Sequence, residues 1–342
     1  MKIIDENMKL VNSQEKQIQI NGLNINYKII GNGKTPVVLL HGWGVSSDKY
    51  LELARWLHSP KLSDSETRLW SRDVKHDQSQ DVNAKRLHRA TTTMEPAIQR
   101  DFKILIPDLP GFGKSDEPNE NWKLDDYVEF IDEFIKKASR KGGFELVKDL
   151  LKKFNPNRGL APVTTETKPL QKFVLIGHSF GGRIAIKYAV KYPEKIDKLI
   201  LTGAAGIKHK LTAKQKIFFI LAKTGKKIFS LPIVNNLKKY AQKFLYKAAR
   251  EKDYYEASPR MKEIMKNVLD EDLTGYLNKI KNPTLLVWGR EDKTTPLADG
   301  EIMNREIQNS KLVVIDDANH SLPYQKPEEF AKIINLTLTN TN

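Results

Sequence analysis

The fold is decided by residues 172–192, which read KFVLIGHSFGGRIAIKYAVKY. The continuous apolar run at 172–177 predicts a strand buried on both faces, and the spacing over 183–192 predicts a helix packed on it. Between them, Ser179 has a glycine two residues away on each side, at Gly177 and Gly181. Small residues are needed there because a serine on a sharp strand-to-helix turn brings the two segments close together. The stretch therefore predicts a strained turn that presents a serine hydroxyl at the end of a buried strand.

Seven further short apolar runs predict strands, with helical segments such as 46–57 and 124–137 between them. They lie at 17–21, 24–30, 36–40, 103–107, 198–202, 284–288 and 311–315. The first two alternate between apolar and polar residues, as a half-solvated antiparallel edge does, whereas the later runs are typical of strands covered on both faces. The pattern predicts an α/β fold, with a mostly parallel central sheet and helices on both faces.

Composition limits the class of protein. The 342 residues include 57 lysines and arginines against 42 acidic residues, a formal net charge of +15, and 39% are hydrophobic. With a mean hydropathy of −0.51, this is enough apolar material for one large core or two smaller ones. The absence of cysteine excludes disulfide scaffolds, thiolate metal sites and cysteine nucleophiles. Acidic residues near the N-terminus argue against a signal peptide, and no apolar run is long enough to span a bilayer. We therefore expect a cytoplasmic protein.

Three segments interrupt the alternation of strands and helices. Residues 59–100 and 139–171 are polar, and we interpret them as inserts, the second with a helical stretch at 144–154. Each follows a predicted helix and leads into a strand, so both should emerge at the amino ends of the strands, away from the edge where ligands bind. The segment 207–280 is helical in pattern and is predicted to be a cap. The core then consists of 17–206 and 281–340.

A serine hydroxyl needs a base to take its proton and a third group to orient that base. Asp292 follows the strand at 284–288, and His320 follows the strand at 311–315. Because the carboxyl ends of parallel strands meet at one edge of a sheet, we expect Ser179, Asp292 and His320 to meet there.

Other carboxylates compete for the role of the acid. Glu291 is adjacent to Asp292, while Asp316 and Asp317 lie near His320. We favour Asp292 because a strand end followed by a short loop is the usual position of this acid.

A further turn, His41-Gly42-Trp43-Gly44, directly follows the strand at 36–40. Attack on a carbonyl creates an oxyanion, which two fixed backbone N–H groups can stabilise. We assign these donors to Trp43 and to Phe180, the residue after the serine. Four neighbouring residues are expected to line the substrate site: His41, Gly42, Gly44 and His178.

These motifs together resemble the α/β-hydrolase superfamily, in particular its capped serine carboxylesterases, which include pimeloyl-ACP methyl ester esterases and C–C bond hydrolases. The resemblance covers nearly all of the chain and rests on five stretches: 41–44, 107–115, 177–182, 288–292 and 319–320. It implies that Ser179 is the nucleophile, His320 the general base and acid, and Asp292 the orienting acid, in the chain order of this fold. The two inserts depart from the family, in which these connections are short.

The serine also sorts reaction classes within the resemblance, since epoxide hydrolases and haloalkane dehalogenases place an aspartate at this turn. A serine alkoxide adds best to a carbonyl, so we expect a carboxylic ester or thioester to be cleaved through an acyl-serine intermediate. The alternatives are a C–C bond hydrolase with the same three residues and a catalytically idle binding or scaffold protein. We expect no cofactor and no metal: the sequence has no metal-ligand motif, and Gly113-Lys114-Ser115 lacks the upstream glycine of a phosphate-binding loop.

The positive charge is concentrated in the predicted cap. Residues 207–250 contain twelve lysines and arginines and no acidic residue. The inserts carry a further +2 and +4, so the rest of the chain has a net charge of −3. Such a face is either only solvated, or it attracts an anionic or carrier-borne ester substrate, or it contacts an anionic membrane through amphipathic helices. A nucleic-acid partner is not expected because the chain has no recognisable nucleic-acid-binding module.

Overall fold

All eight predicted strands are present in the computed structural model, which describes residues 13–58, 102–153, 172–208 and 257–339. The strands are β1 (Ser13–Ile20), β2 (Leu23–Ile30), β3 (Thr35–Leu40), β4 (Phe102–Pro107), β5 (Phe173–His178), β6 (Ile196–Thr202), β7 (Thr284–Gly289) and β8 (Ser310–Ile315). They form one sheet in the order β1-β2-β4-β3-β5-β6-β7-β8. Strand β2 pairs antiparallel with both β1 and β4, and all other pairs are parallel. The predicted α/β fold with a mostly parallel sheet is confirmed.

Two expectations about the faces of the strands are wrong. Strand β2 was expected to be half-solvated, but it lies between β1 and β4 and most of its residues are buried. Strand β8 was expected to be covered on both faces, but it is the last strand of the sheet, and most of its residues are only partly buried. An alternating or apolar run therefore indicates a strand here without fixing its place in the sheet.

Helices cover both faces of the sheet. They are α1 (Leu51–His58), α2 (Leu124–Lys153), α3 (Phe180–Lys191), α4 (Pro259–Asp270), α5 (Thr274–Leu277), α6 (Leu297–Glu306), α7 (Leu322–Gln325) and α8 (Pro327–Thr339). One apolar cluster joins the sheet to α2, α3, α4, α5 and α6, and a second joins the other face to α1, α7 and α8. Two layers of core thus hold the strands rigid at the edge where the candidate residues lie.

The predicted helical stretch 124–137 and residues 144–153 of the stretch 144–154 are parts of a single helix, α2, and residue 154 lies outside the described residues. The expectation that a polar insert begins at residue 139 is therefore wrong for 139–153, which continue the helix. The glycine pair at 142–143 does not end it, because glycine in a helix interior costs only about 1 kcal/mol.

The insert at 59–100 and most of the insert at 139–171 lie outside the described residues. His58 and Phe102, which flank the insert at 59–100, lie close together. A side chain at Gly31 would meet both the ring of His58 and the carbonyl of Phe102. Phe102 pairs with Thr35, the first residue of β3. The chain therefore leaves and returns at the amino-terminal edge of the sheet, opposite the candidate site.

The predicted cap at 207–280 is described only at its two ends, since 209–256 lie outside the described residues. Helix α4 buries Met261, Ile264 and Val268 in the same cluster as the core helices. The carbonyls at its C-terminal end accept hydrogen bonds from Arg183 of the core, which donates to Glu271, and from Lys208, which donates to Asp270 at 3.1 Å. Such cations stabilise a helix C-terminus. The end of the predicted cap is thus fastened to the core.

Candidate active site

The turn after β5 holds Ser179 in a backbone conformation that few residues adopt. Its φ of 54° and ψ of −113° are strained for a residue with a side chain, and such strain is found at functional turns. The Ser179 N–H donates to Thr202 at 3.2 Å, and its carbonyl accepts from Ala205 at 3.1 Å. A side chain at Gly181 would lie 2.3 Å from the Leu40 carbonyl, so this position requires glycine. The serine is therefore fixed at the carboxyl edge of the sheet between β3 and β6.

The structure brings Ser179, His320 and Asp292 into one hydrogen-bonded line. His320 Nε2 lies 2.9 Å from Ser179 Oγ, and His320 Nδ1 lies 2.8 Å from Asp292 Oδ2. The carboxylate can only accept, so Nδ1 carries the hydrogen and Nε2 offers its lone pair to the serine hydroxyl. This arrangement can transfer a proton from Ser179 to His320.

The carboxylate of Asp292 is kept charged although its side chain is only 1% exposed. Burial alone would raise its pKa, but hydrogen bonds from His320 and Thr295 outweigh burial, so the net pKa is lowered. Oδ1 accepts the backbone N–H groups of Thr294 and Thr295, and Oδ2 accepts the Thr295 hydroxyl at 2.9 Å. Sequence reasoning missed Thr295; the threonine pair soon after the aspartate was the available signal.

The competing carboxylates do not reach His320. Glu291, Asp316 and Asp317 are exposed, and Asp316 pairs instead with Arg290. Of these acids, only Asp292 is both buried and in contact with the imidazole.

The two N–H groups assigned to the oxyanion belong to residues close to the nucleophile. Phe180 follows Ser179, and a side chain at Gly42, the neighbour of Trp43, would lie 3.3 Å from Ser179 Cβ. In the part of the chain that the structure describes, neither the Trp43 nor the Phe180 amide has a hydrogen-bond acceptor. The two segments are tied together, because the Gly181 N–H donates to the His41 carbonyl at 3.0 Å. Unused donors held in place next to a nucleophile are what stabilisation of an oxyanion requires.

The buried ring of His41 fixes the orientation of one of these donors. Leu109 N–H donates to its Nε2 at 2.9 Å, so Nδ1 carries the hydrogen and donates to the Gly42 carbonyl at 2.7 Å. That carbonyl belongs to the same planar peptide as the Trp43 N–H, and the two point in opposite directions. Holding the carbonyl therefore aims the Trp43 N–H.

The expectation that His41 and His178 line the substrate site is corrected. His41 has no exposed surface and His178 is 2% exposed, and protein groups bond both nitrogens of each ring. Gly42 is buried, and a side chain there would lie 3.3 Å from Ser179 Cβ, whereas Gly44 is exposed with a φ of 73°. Substrate contact remains a proposal for the two glycines only.

A second buried acid, Asp108, links three segments of the chain near the site. Its buried carboxylate accepts N–H groups from Ser47 at 2.7 Å and Lys114 at 3.0 Å, together with the Asn26 amide at 2.9 Å. Burial raises its pKa, but these hydrogen bonds outweigh burial and the net pKa is lowered. The stretch 107–115, which resembles a glycine-rich phosphate loop at its end, is thus folded around a carboxylate.

An aromatic surface adjoins the two oxyanion donors. The ring of Trp43 packs edge to face against Phe112 at 4.8 Å and Phe180 at 5.2 Å. Phe112 and Phe180 are buried and Trp43 is only partly buried, so Trp43 is the member of this cluster that reaches the surface. Such a surface favours an apolar or aromatic group in a ligand.

Two further features bear on the type of site. In the ranges described, no group of three or more histidine, aspartate or glutamate side chains could hold a metal ion. No helix in these ranges is both long and apolar enough to cross a membrane.

Known proteins resemble this chain over most of its length. The model of the alpha/beta hydrolase family matches residues 37–333. A 2-hydroxy-6-oxo-6-phenylhexa-2,4-dienoate hydrolase of Comamonas testosteroni is 26% identical, over 70% of this chain and 77% of that protein. A 2-hydroxy-6-oxononadienedioate/2-hydroxy-6-oxononatrienedioate hydrolase of Pseudomonas putida is 23% identical, over 96% of this chain and 95% of the other. Among solved structures, a bacterial membrane phospholipase A has a TM-score of 0.60 at 20% identity and covers 98% of this chain and 89% of its own.

Proposed function

The chain belongs to the alpha/beta hydrolase family, and we propose that it cleaves a carboxylic ester or thioester through an acyl-serine intermediate. The observation that carries the proposal is the line from Ser179 Oγ to His320 Nε2 at 2.9 Å and from His320 Nδ1 to Asp292 Oδ2 at 2.8 Å. Such a line converts a weak nucleophile into one that attacks a carbonyl carbon.

In the first half of the reaction His320 Nε2 takes the proton of Ser179 as Oγ adds to the carbonyl carbon. The oxyanion accepts the N–H groups of Trp43 and Phe180, and loss of one such donor typically lowers kcat by about 10²- to 10³-fold. Collapse of the tetrahedral intermediate breaks the bond to the alcohol or thiol, which leaves with the proton from His320. The acyl group stays on Ser179.

In the second half His320 removes a proton from a water molecule, and the resulting hydroxide attacks the acyl-serine. The carboxylate of Asp292 stabilises the imidazolium that forms in each half and keeps the imidazole in the required tautomer. Because hydrogen bonds keep the pKa of Asp292 low, this charge is present at neutral pH. The acid product leaves and Ser179 regains its proton.

Active-site labelling tests the proposal. We expect a fluorophosphonate probe to label the wild type and not Ser179→Ala, and p-nitrophenyl esters of short and long acids to be hydrolysed only by the wild type. Ser115→Ala is a matched control, because its hydroxyl donates to the Asp108 carbonyl and accepts the Asn26 N–H, and it bonds neither Ser179 nor His320. Labelling with no turnover of any substrate in the panel would favour an idle binding protein. Full activity in Ser179→Ala would refute the mechanism.

A second candidate is hydrolysis of a C–C bond next to a ketone, because two relatives carry the names of dienoate and dienedioate hydrolases. The same serine could add to the ketone, but the leaving group is then a carbon that must be stabilised and protonated. The two candidates separate in one competition assay: a 2-hydroxy-6-oxo-dienoate and an ester with the same acyl group are offered at equal concentration. A ratio of kcat/KM that favours the dienoate would replace ester cleavage as the proposed activity.

We also propose an anionic partner for the basic segment 207–250, of which only the first two residues lie in the described ranges. The described end of the predicted cap lies close to the loop that follows β4, since a side chain at Gly111 would lie 2.4 Å from Met261. Co-sedimentation with vesicles that contain or lack anionic lipid tests the membrane version. Failure to bind at low salt would refute the membrane version and leave an anionic or carrier-borne substrate, or a face that is only solvated.

A further inference from the structure

A buried hydrogen-bond chain that the reaction steps do not use runs beside the nucleophile. The Gly42 N–H donates to Tyr50 Oη at 3.2 Å, and Tyr50 Oη lies 2.6 Å from His178 Nδ1. The other ring nitrogen, His178 Nε2, lies 2.8 Å from the backbone carbonyl of His320. Tyr50 has no exposed surface and His178 is 2% exposed, so neither group contacts solvent. The chain joins the oxyanion turn to the backbone of the proposed general base.

The chemistry of the groups fixes every hydrogen in this chain. A carbonyl only accepts, so His178 Nε2 carries the hydrogen that it donates to His320. Burial is the main reason why the pKa of His178 falls to about 3, so the ring is neutral and Nδ1 has a free lone pair. Tyr50 therefore donates to Nδ1 and accepts from Gly42. Each donor meets one acceptor, and no proton can move along the chain without leaving a charge in the protein interior.

We propose that Tyr50 and His178 are positioning residues, which hold the oxyanion turn 41–44 and the backbone of His320 at a fixed separation across Ser179. The inference rests on the proposed function, since it concerns the alignment of the groups that carry out the reaction. Neither side chain touches substrate. We refer to the side chains of Tyr50 and His178 together as the relay, in the sense that they transmit position and not a proton.

At one end, the relay restrains the oxyanion turn. Tyr50 holds the N–H of Gly42, and His41 holds the carbonyl of the same residue at 2.7 Å. Two successive peptide planes are then fixed, and the second of them carries the Trp43 N–H. Release of the first plane would let the turn rotate and would misdirect a donor whose stabilisation of the oxyanion depends on its placement.

At the other end, the relay restrains His320. The ring of His178 lies 5.0 Å from the ring of His320, and both Tyr50 and His178 pack edge to face on Tyr324 in α7, at 5.8 and 6.0 Å. The fixed carbonyl sets the backbone from which the His320 side chain reaches Ser179. The hydrogen bond from His178, the last residue of the buried strand β5, therefore holds the loop that follows β8 in place.

Tyr50→Phe tests the relay because it removes one hydroxyl and leaves the ring. We expect kcat for the best ester to fall about tenfold, with KM within about twofold of the wild-type value. The reason is that a misplaced donor stabilises the transition state less, while substrate binding in the ground state hardly changes. The rate constant for labelling by a fluorophosphonate should fall by a similar factor. For His178 we expect a larger loss in His178→Leu than in His178→Gln, whose amide can still donate to the His320 carbonyl.

Tyr188→Phe is the matched control. Tyr188 lies on helix α3, away from the oxyanion turn, and is also fully buried. Its hydroxyl donates to Asp132 at 3.0 Å. We expect this variant to lower the urea midpoint of unfolding with no change in kcat, whereas Tyr50→Phe lowers kcat.

The outcomes separate the relay from the proposed function. Wild-type kcat in Tyr50→Phe, or an equal loss in Tyr188→Phe, would overturn the relay while the serine mechanism stands. Equal rates in His178→Leu and His178→Gln would overturn its His320 end. A wild type that no fluorophosphonate labels would overturn the proposed function, and the relay with it.

Discussion

The histidines on the two sides of Ser179 lie in opposite environments. On the oxyanion side, which comprises residues 41–50 and His178, both imidazoles are buried and each is held in one tautomer by groups that cannot exchange the proton. On the base side, which comprises residues 292–295 and His320, the imidazole is 21% exposed and lies between a carboxylate and a hydroxyl. The same side chain therefore serves as a rigid support in one region and as a proton carrier in the other, according to its partners.

The largest effect is expected on the base side. His320→Gln removes the group that takes the Ser179 proton, and loss of a base in such a triad costs up to about 10⁶-fold in kcat. We expect esterase activity near background with a urea midpoint close to that of the wild type, because this ring is partly exposed. A loss of less than about 100-fold would show that another group acts as base.

Asp292→Asn should have the next largest effect, about 10⁴-fold in kcat, because an amide can stabilise the wrong tautomer of His320. Asp316→Asn is the control: it lies near the same histidine in sequence but is exposed and pairs with Arg290. We expect the control to keep full activity in steady-state assays. A comparable loss in both variants would reopen the identity of the acid.

On the oxyanion side a smaller loss is expected. His41→Phe removes the hydrogen bonds that His41 makes with the Gly42 carbonyl and the Leu109 N–H. We expect kcat to fall about 100-fold because the Trp43 N–H is then misdirected. His41→Asn can still donate to that carbonyl and should recover part of the rate. If the two variants have equal kcat, the hydrogen bond from His41 does not orient the donor.

The two environments also predict the pH dependence of stability. Burial lowers the pKa of His178 to about 3 and lowers that of His41, from an ordinary value of 6.5. The unfolded chain therefore binds more protons below pH 6.5, and the free energy of unfolding should fall as the pH is lowered from about 6.5 towards 5. The lowered pKa values of Asp108 and Asp292 act in the same direction, but only near and below their ordinary value of 3.8.

Urea midpoints measured between pH 7.5 and 5 check this expectation. His178→Gln removes one of the two titrating groups, so its midpoint should fall less steeply than that of the wild type over this range. Parallel pH profiles for the two proteins would mean that His178 is not held neutral by the fold.

The sequence predicted what depends on local composition and chain order. Ser179, Asp292 and His320 each follow an apolar run that forms a strand, so their meeting at one edge was predictable. The run before His320 did not reveal that β8 is the last and only partly buried strand of the sheet. The burial of His41 and His178 was not predictable, because the sequence does not show whether a polar side chain at a strand end points into the protein or towards the substrate. Tyr50 contacts a residue 128 positions away, and such a pairing is visible only in three dimensions. Thr295 was missed for a related reason, since its hydroxyl matters only through its orientation towards Asp292.

Trapping the intermediate shows whether Ser179 carries the acyl group and whether His320 alone exchanges its proton. A p-nitrophenyl ester is mixed with enzyme, quenched in acid within the first turnover and measured by intact-protein and peptide mass spectrometry. We predict a mass increase equal to one acyl group on the peptide that contains Ser179. We expect this adduct in wild type and His178→Gln, and not in His320→Gln. Turnover with no adduct, or an adduct on another residue, would contradict the account.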